Sequence, residues 1–348
     1  MSELGPQTIW VTPHAPALVL APMDGLTDAP MRAVQGEAGA FTHAVSEFLR
    51  VNADVPPKKV FHRDIPELLN GGRTHTGLPV QVQLLGGDAE RMAEAAVIGC
   101  KAGARAIDIN FGCPAPTVNR HDGGATLLKY PQRIREIVAA IRAALPPEIP
   151  VSAKLRLGWD TIESIHENAA MAAEGGAAWI TIHGRTKIEG YKPPAHWGPI
   201  GEVRARLGIP VVANGDIWSL EAFKRCQDET GCAHFMLGRG ALADPTLSYQ
   251  IAAELGLVPP RPAYLNDVPL DWIAQLQRLV HWTDHFEGPS SRKILPRMKQ
   301  WLNLARRHGD FQAFDEVKRA ESVEELFAIL RAYTPISSEA SKSFAVIS

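Results

Sequence analysis

The hydrophobic positions of the chain fall into eight short runs bounded by Gly, Pro or Asp. Apolar runs of about four to eight residues with such boundaries are typical of buried β-strands. Helical spacing fills most of the intervals, most clearly over 88–102, 131–145 and 162–174. The predicted strands are 17–22, 42–48, 80–86, 106–112, 151–158, 178–184, 210–216 and 234–240.

This alternation of strand and helix predicts an α/β fold, a closed parallel (β/α)8 TIM barrel over residues 17–258. An open doubly wound sheet is the alternative. No GxGxxG motif follows the first predicted strand, which counts against that alternative.

A separate helical domain is predicted over 259–335. The prolines at its start, Pro259, Pro260, Pro262 and Pro269, indicate a linker. Apolar residues recur at helical spacing over 270–286 and 295–307, and a third helix is expected over 311–332. Residues 1–16 form an N-terminal extension, and the polar stretch 336–348 is expected to be a disordered tail.

Each predicted strand is apolar until its C-terminal end, where polar or reactive side chains appear. The carboxyl ends of barrel strands meet on one rim, where this fold builds its active sites. The sequence therefore predicts a single polar site at that rim. The candidate residues are Met23, Asp24, Glu47, Gln83, Asn110, Cys113, Lys154, Arg156, His183, Arg185, Asn214, Asp216 and Arg239.

Cys113 lies in a loop after the fourth predicted strand, between Asn110 and a Gly123-Gly124 pair. A thiol placed there can be a nucleophile, a metal ligand or a proton donor. The alternative is that Cys113 is a small buried hydrophobic residue, the commoner fate of a free cysteine.

Two glycine-containing loops close the seventh and eighth strands, at 213–217 and 237–242. Loops at these positions are the usual phosphate site of a TIM barrel, and Arg239 adds a fork that can bind phosphate oxygens. Lys154 and His183 point from the fifth and sixth strands toward the same mouth, where they can donate to a heteroaromatic ring. Phosphate and ring together suggest a mononucleotide cofactor, with FMN as the natural candidate.

The composition is that of an ordinary globular protein, with 45% hydrophobic residues, 21% charged residues and a formal net charge of −2. The four cysteines suit neither a disulfide framework nor a zinc cluster. Neither a signal peptide nor a run of about 18 apolar residues is present, so we expect a cytoplasmic protein that does not enter a membrane. No protein partner is implied, and a monomer is expected.

A basic helix stands out against this near-neutral background. Between Gly288 and Gly309 the chain has no acid but carries Arg292, Lys293, Arg297, Lys299, Arg306 and Arg307. Such an arc is a candidate nucleic-acid surface, although a solvated face is the more common explanation.

Motifs distributed along residues 17 to about 320 resemble the tRNA-dihydrouridine synthases, most closely those that act on uridine 16. They are APMDGLTD (21–28), SEFLRV (46–51), VFHR (60–63), QLLGG (83–87), NFGCP (110–114), GGATLL (123–128), KLRLGWD (154–160), HGRTKIEGY (183–191), ANGDIW (213–218), GRGAL (238–242) and RMKQWL (297–302).

The resemblance implies an FMN barrel with a helical domain that reduces the carbon 5–carbon 6 double bond of uracil in tRNA, with NADPH, or alternatively NADH, as reductant. It implies that Cys113 is the general acid. The implied flavin-binding residues are Pro22, Met23, Asp24, Gln83, Lys154, His183, Asn214, Gly215, Asp216, Gly238 and Arg239. The implied tRNA contacts are Arg50, Asn110, Tyr191, Arg297, Lys299 and Lys318.

The chain departs from the family pattern at three places. It has Ala115-Pro116-Thr117 where relatives carry a lysine, Lys318 where relatives use arginine, and Leu304 where relatives have tyrosine. Two other functions remain open at this point: an FMN barrel that acts on a free pyrimidine, and a Schiff-base aldolase that uses Lys154. A purely structural RNA-binding role would need neither the phosphate loops nor Cys113.

Overall fold

The computed structural model describes residues 10–52, 54–119, 122–257, 270–289 and 291–333. Its strands form one parallel sheet. They are β1 Ala17–Leu20, β2 His43–Val45, β3 Leu49–Arg50, β4 Val80–Leu85, β5 Ile107–Asn110, β6 Val151–Arg156, β7 Trp179–His183, β8 Val211–Asn214 and β9 His234–Leu237.

Helices follow the strands and then continue alone. They are α1 Ala29–Glu37, α2 Lys58–Asp64, α3 Ala89–Ala102, α4 Pro116–Asn119, α5 Pro131–Ala144, α6 Ser164–Glu174, α7 Gly198–Arg206, α8 Leu220–Thr230, α9 Arg239–Ala243, α10 Leu247–Glu254, α11 Trp272–Glu287, α12 Ile294–His308, α13 Phe314–Val317 and α14 Val323–Ala332. The 3₁₀ helices are Pro66–Asn70 and Gly124–Lys129.

The sheet closes on itself, because β1 pairs with both β2 and β9, and β2 pairs with β4. The predicted barrel and its eight strands are confirmed, and the open-sheet alternative is wrong. One detail differs, since the second predicted strand is interrupted after Val45. The Ser46 hydroxyl accepts the backbone N–H of Gln83 at 3.1 Å, and the chain resumes beside β4 as the short β3.

Local sequence accounts for the helix boundaries that were predicted. The Asp88 carboxylate accepts the N–H of Arg91 at the start of α3, and Gly103 ends that helix with φ of 119°. Pro131 occupies the first turn of α5, where its missing N–H costs nothing. The helices predicted over 88–102, 131–145 and 162–174 are confirmed as α3, α5 and α6.

The helical domain contains α11 and α12 as predicted, but the single helix expected over 311–332 is wrong. The chain there forms α13 and then α14, because the Ser322 hydroxyl accepts the N–H of Glu325 at 3.0 Å and begins a new helix. Lys299 stabilises the break by donating to the carbonyl of Ala320 at 2.6 Å. The predicted linker, the residues before Trp10 and the predicted tail lie outside the described residues.

The helical domain packs against the barrel along one line of contacts, which we call the seam. There α11 packs on α1, and α12 packs on α9. The Glu37 carboxylate of α1 accepts from Arg278 at 2.5 Å and from the indole of Trp282, both on α11. Arg297 of α12 forms ion pairs with Asp28, before α1, and with Glu287. The helical domain therefore flanks the barrel beside β9 and β1.

In the described part of the chain, no helix combines the length and apolar character needed to cross a bilayer.

Candidate active site

A cavity of about 600 Å³ opens at the carboxyl ends of the barrel strands, a volume in the usual range for ligand sites. The structure brings together every residue predicted to act in catalysis or flavin binding, and two of those predicted to contact tRNA. They are Pro22, Met23, Asp24, Gln83, Cys113, Lys154, His183, Asn214, Gly215, Asp216, Gly238 and Arg239, with Asn110 and Tyr191.

The other predicted tRNA contacts lie outside the cavity. Arg50 ends β3 near the rim. Arg297 is held in the seam, and Lys299 donates to the Ala320 carbonyl. Lys318 forms an ion pair with Asp315 at 2.6 Å. Three of these four cations thus have partners within the protein, and their contacts with tRNA stay predictions.

A buried chain of hydrogen bonds positions the loop that carries the thiol. The Asp108 carboxylate accepts from the side-chain amide N–H of Gln83 at 2.7 Å. The side-chain carbonyl oxygen of Gln83 accepts from the side-chain amide N–H of Asn110 at 2.9 Å. The side-chain oxygen of Asn110 accepts hydrogen bonds from the backbone N–H groups of Gly112 and Cys113, each at 2.9 Å. Asn110 therefore orients the Cys113 backbone. Sequence reasoning missed Asp108, although an acid inside an apolar strand was the available signal.

The Cys113 thiol is half-buried and suited to carry a proton. Burial raises its pKa, which the positive charges of Arg156 and Arg50 only partly oppose, so the thiol is protonated at neutral pH. The Cys113 backbone packs closely against Gly124, where a Cβ would lie only 2.9 Å from the Cys113 carbonyl oxygen. Gly124 also has a φ of 59°, which favours glycine at this position. Among the described residues, no group of three or more His, Cys, Asp or Glu side chains is arranged to hold a metal ion.

Cationic side chains line the wall across several strand ends. Burial lowers the pKa of Lys154 to about 8, and the charge of Arg156 adds to that shift. The Lys154 ammonium donates to the Asn214 carbonyl at 3.1 Å. Burial and the same cations lower the pKa of His183 well below its ordinary value, so its imidazole is neutral. The His183 Nδ1 atom is buried without a hydrogen-bond partner.

Two aromatic side chains, Tyr191 and Trp218, line the cavity. The Tyr191 ring lies 5.0 Å from the guanidinium carbons of both Arg156 and Arg239, and Arg239 also stacks on Trp218 at 4.9 Å. Arg156 is held by the carbonyl of Gly112 at 2.8 Å. The sequence placed Arg156 at a strand end without giving it a role, and Trp218 gave no signal of its own.

Glu47 is a second residue at a strand end to which the sequence assigned no role. It lies in the interruption between β2 and β3 and lines the cavity. Burial, with the neighbouring Asp28 carboxylate, raises the pKa of Glu47 to about 7. Its Oε1 atom is buried without a partner. A carboxyl of this kind exchanges its proton near neutral pH and is available to a ligand.

The carboxylate of Asp216 is already occupied by the protein. It accepts from Arg185, from the N–H of Ala195 at 2.8 Å and from the indole of Trp218 at 3.3 Å. Gly215 and Asp216 both have positive φ angles, 122° and 51°. The carboxylate therefore fixes an unusual turn, and a ligand at this loop would contact its backbone.

These features fit a mononucleotide cofactor. The free His183 Nδ1 and the buried Lys154 ammonium provide polar atoms for an electron-rich ring. A Cβ at position 238 would lie 3.2 Å from the Met23 sulfur. Because Gly238 has no Cβ, the backbone of its loop can approach a bound ligand closely. Arg239 supplies positive charge for a phosphate at the same loop.

Residues 19–334 match the family model described as dihydrouridine synthase. A protein of Aquipseudomonas alcaligenes named tRNA-dihydrouridine(16) synthase is 42% identical, over 90% of this chain and 98% of that protein. Proteins with the same name are 41% identical in Neisseria meningitidis serogroup A, over 91% and 94% of the two chains, and 40% identical in Haemophilus influenzae, over 89% and 97%.

Solved structures share the barrel. Histamine dehydrogenase from Rhizobium sp. 4-9 superposes with a TM-score of 0.54 at 14% identity, over 69% of this chain and 46% of that chain. A 2-naphthoyl-CoA reductase complex superposes with a TM-score of 0.52 at 12% identity, over 68% and 50% of the two chains. This chain spans about half the length of each, and the likeness concerns the fold.

Proposed function

Because the chain belongs to the dihydrouridine synthase family, we propose that it reduces uridine 16 of tRNA to 5,6-dihydrouridine with a bound flavin. The observation that carries this proposal is the placement of Cys113 on the rim of a cavity whose other walls suit a flavin nucleotide. Family membership does not support the two alternatives, a free-pyrimidine dehydrogenase and a Schiff-base aldolase.

The flavin of this proposal is FMN, held without a covalent bond. Gly238, Arg239 and the turn at Gly215 and Asp216 would bind its phosphate end, and Lys154 with His183 would face its ring. When bound, FMN supplies the hydride that adds to carbon 6 of uracil. NADPH is the proposed external reductant.

Cys113 donates its proton to carbon 5 of the uracil, which completes the reduction. The raised pKa keeps the proton on sulfur until the base arrives, and solvent returns a proton to the thiolate afterwards. Arg156 and Lys154 face the same cavity, where they favour negative charge that develops on the carbonyl oxygens of the base. Asn110 keeps the thiol loop in place.

The uracil must leave the tRNA stack to reach this cavity. Tyr191 lines this cavity and is 55% exposed, so its ring is accessible to an entering base. The barrel handles one nucleotide, and contacts with the phosphate backbone must set the position of the tRNA. Action in the cytoplasm as a monomer remains part of the proposal.

The test uses purified protein and tRNA that lacks dihydrouridine. Acid precipitation is expected to release FMN, and NADPH with tRNA is expected to yield dihydrouridine at position 16, mapped by mass spectrometry. Colourless protein that takes up no added flavin would contradict the cofactor. Product found only at other positions would contradict the site, and oxidation of NADPH with no product in tRNA would contradict the substrate.

A further inference from the structure

Two lysines and a tryptophan form a cluster on the barrel rim, which we call the Trp159 cluster. The ammonium nitrogens of Lys129 and Lys187 lie 3.9 Å and 4.2 Å from the centre of the Trp159 ring. Lys129 ends the 3₁₀ helix that follows the Cys113 loop. Trp159 and Lys187 come from the loops after β6 and β7.

The Trp159 cluster lies across the mouth from the helical domain. The closed order of the barrel is β1, β2, β4, β5, β6, β7, β8 and β9. The helical domain packs on α1 and α9, which follow β1 and β9, whereas the cluster belongs to the connections after β5, β6 and β7. In a ring of eight strands, β5 and β6 stand opposite β9 and β1. The cavity mouth therefore opens between the helical domain and the Trp159 cluster.

Hydrogen bonds join the two loops of the Trp159 cluster to each other and to the cavity residue Arg156. The N–H of Lys187 donates to the Gly158 carbonyl at 2.9 Å, and the N–H of Ile188 donates to the Trp159 carbonyl at 3.0 Å. Arg156, which lines the cavity, holds the carbonyl of Gly190 in the same loop at 2.8 Å. The loop then presents Ile188, 62% exposed, beside the rim residue Tyr191.

The two lysines of the cluster keep their charge available. In the described part of the chain, no carboxylate lies within ion-pair distance of Lys129 or Lys187. An ammonium that rests on an indole face still has N–H groups to donate, and the ring restricts its position. By contrast, Arg297 and Lys318 each form an ion pair within the protein.

We infer that Lys129, Trp159 and Lys187 form a second tRNA-binding surface, which binds the phosphate backbone beside the extruded nucleotide, opposite the helical domain. This inference rests on the proposed function, since it assumes a tRNA substrate at this mouth. A base that enters between two backbone contacts is held on both sides. Phosphate contacts of this kind fix register without reading sequence.

The experiment measures binding of tRNA that lacks dihydrouridine to the flavin-loaded protein between about 50 and about 200 mM salt. The double variant Lys129→Ala/Lys187→Ala is expected to bind more weakly, and its plot of log affinity against log salt is expected to lose about two units of slope. The double variant Lys129→Arg/Lys187→Arg is expected to keep the wild-type slope, because arginine also stacks on tryptophan and binds phosphate.

The matched control is Lys101→Ala/Arg105→Ala, which removes two charges at the opposite end of the barrel, where α3 ends and β5 begins. It is expected to keep the wild-type slope, and flavin content reports folding of all variants. An unchanged slope in the Lys129/Lys187 alanine variant, or an equal loss in the control, would overturn the inference while wild-type protein still reduces tRNA. Wild-type protein that neither binds nor reduces tRNA would overturn the proposed function as well.

Discussion

The seam and the cavity both bury charged side chains, but they arrange them in opposite ways. The seam pairs opposite charges, as in the contacts of Arg278 with Glu37 and of Arg297 with Asp28. The cavity gathers like charges instead. Lys154 and Arg156 lie two positions apart on β6. Burial and the charge of Arg156 lower the pKa of Lys154, and burial and the charge of Arg185 lower the pKa of Arg156.

The difference separates groups that hold the fold from groups that wait for a ligand. Removing one partner from a buried pair leaves an uncompensated charge and destabilises the protein. A buried charge without an opposite partner already costs free energy, which an anionic or electron-rich ligand offsets when it binds. Substitutions in the seam should therefore lower stability and spare chemistry, whereas substitutions in the cavity should impair chemistry or ligand binding without lowering stability.

The largest effect is expected from Cys113→Ala. Loss of a general acid lowers the rate of uridine reduction by about 10²–10⁴-fold, because carbon 5 then has no positioned proton donor. The free energy of unfolding should change little. Single-turnover oxidation of the reduced protein by tRNA measures the rate, and Cys100→Ala, on α3 away from the cavity, is the matched control. Parental turnover by the Cys113 variant would make this cysteine structural.

The next effect is a pH-dependent gain in stability from Glu47→Gln. The folded protein raises the pKa of Glu47 from 4.5 to about 7, so it binds the proton more tightly than the unfolded chain does. Stability of the wild type therefore falls as pH rises from about 4.5 to about 7 and is lowest above that window. At about pH 8 the variant should be more stable by about 3 kcal/mol, and at about pH 4 the difference should vanish.

Urea unfolding of flavin-free protein at several pH values measures this difference. A gap between wild type and Glu47→Gln that is the same at every pH would show that Glu47 ionises in the folded protein as it does in the unfolded chain. In that case the cavity, like the seam, would accommodate an ionised carboxylate without a cost in stability.

In the seam, Arg297→Ala should lower the free energy of unfolding by about 2 kcal/mol, because Asp28 and Glu287 lose a charged hydrogen-bond donor. Flavin content should stay normal. The control is Lys293→Ala, whose ion pair with Glu287 is made by a side chain that is 70% exposed, so its loss should cost below about 1 kcal/mol. Weaker tRNA binding by the Arg297 variant with no loss of stability would instead identify a direct tRNA contact.

The smallest effect is expected from Trp282→Phe. This change removes the indole N–H that donates to Glu37 but keeps an aromatic ring beside His75, whose ring centre lies 5.7 Å from that of Trp282. The cost should be about 1 kcal/mol, since Arg278 continues to satisfy the carboxylate. Thermal unfolding of Trp282→Phe, of Glu37→Gln and of the double variant measures the coupling free energy between the two side chains. Additive effects would show that the contact contributes nothing of its own.

Prediction from sequence succeeded where the cause is local. The eight barrel strands follow from apolar runs, and α3 and α5 follow from Asp88 and Pro131 at their first positions. It failed at the third C-terminal helix, where the apolar spacing was continuous but Ser322 competed for the backbone and began a new helix. The interruption of the second strand at Ser46 also gave no sequence signal, because it depends on a hydrogen bond to Gln83 in another strand.

The sequence by itself determined the barrel and the chemistry at its rim, because strand periodicity and strand direction place polar strand ends at one mouth whatever the details of packing. Tertiary structure alone decided which charges are paired and which are available. Arg278 and Glu37 are 241 positions apart, and no local pattern relates them. The basic helix that sequence alone marks as a candidate nucleic-acid surface has Arg297 and Lys299 engaged within the protein. Lys129 and Lys187 meet at Trp159 only because three separate connections of a closed barrel reach the same part of the rim.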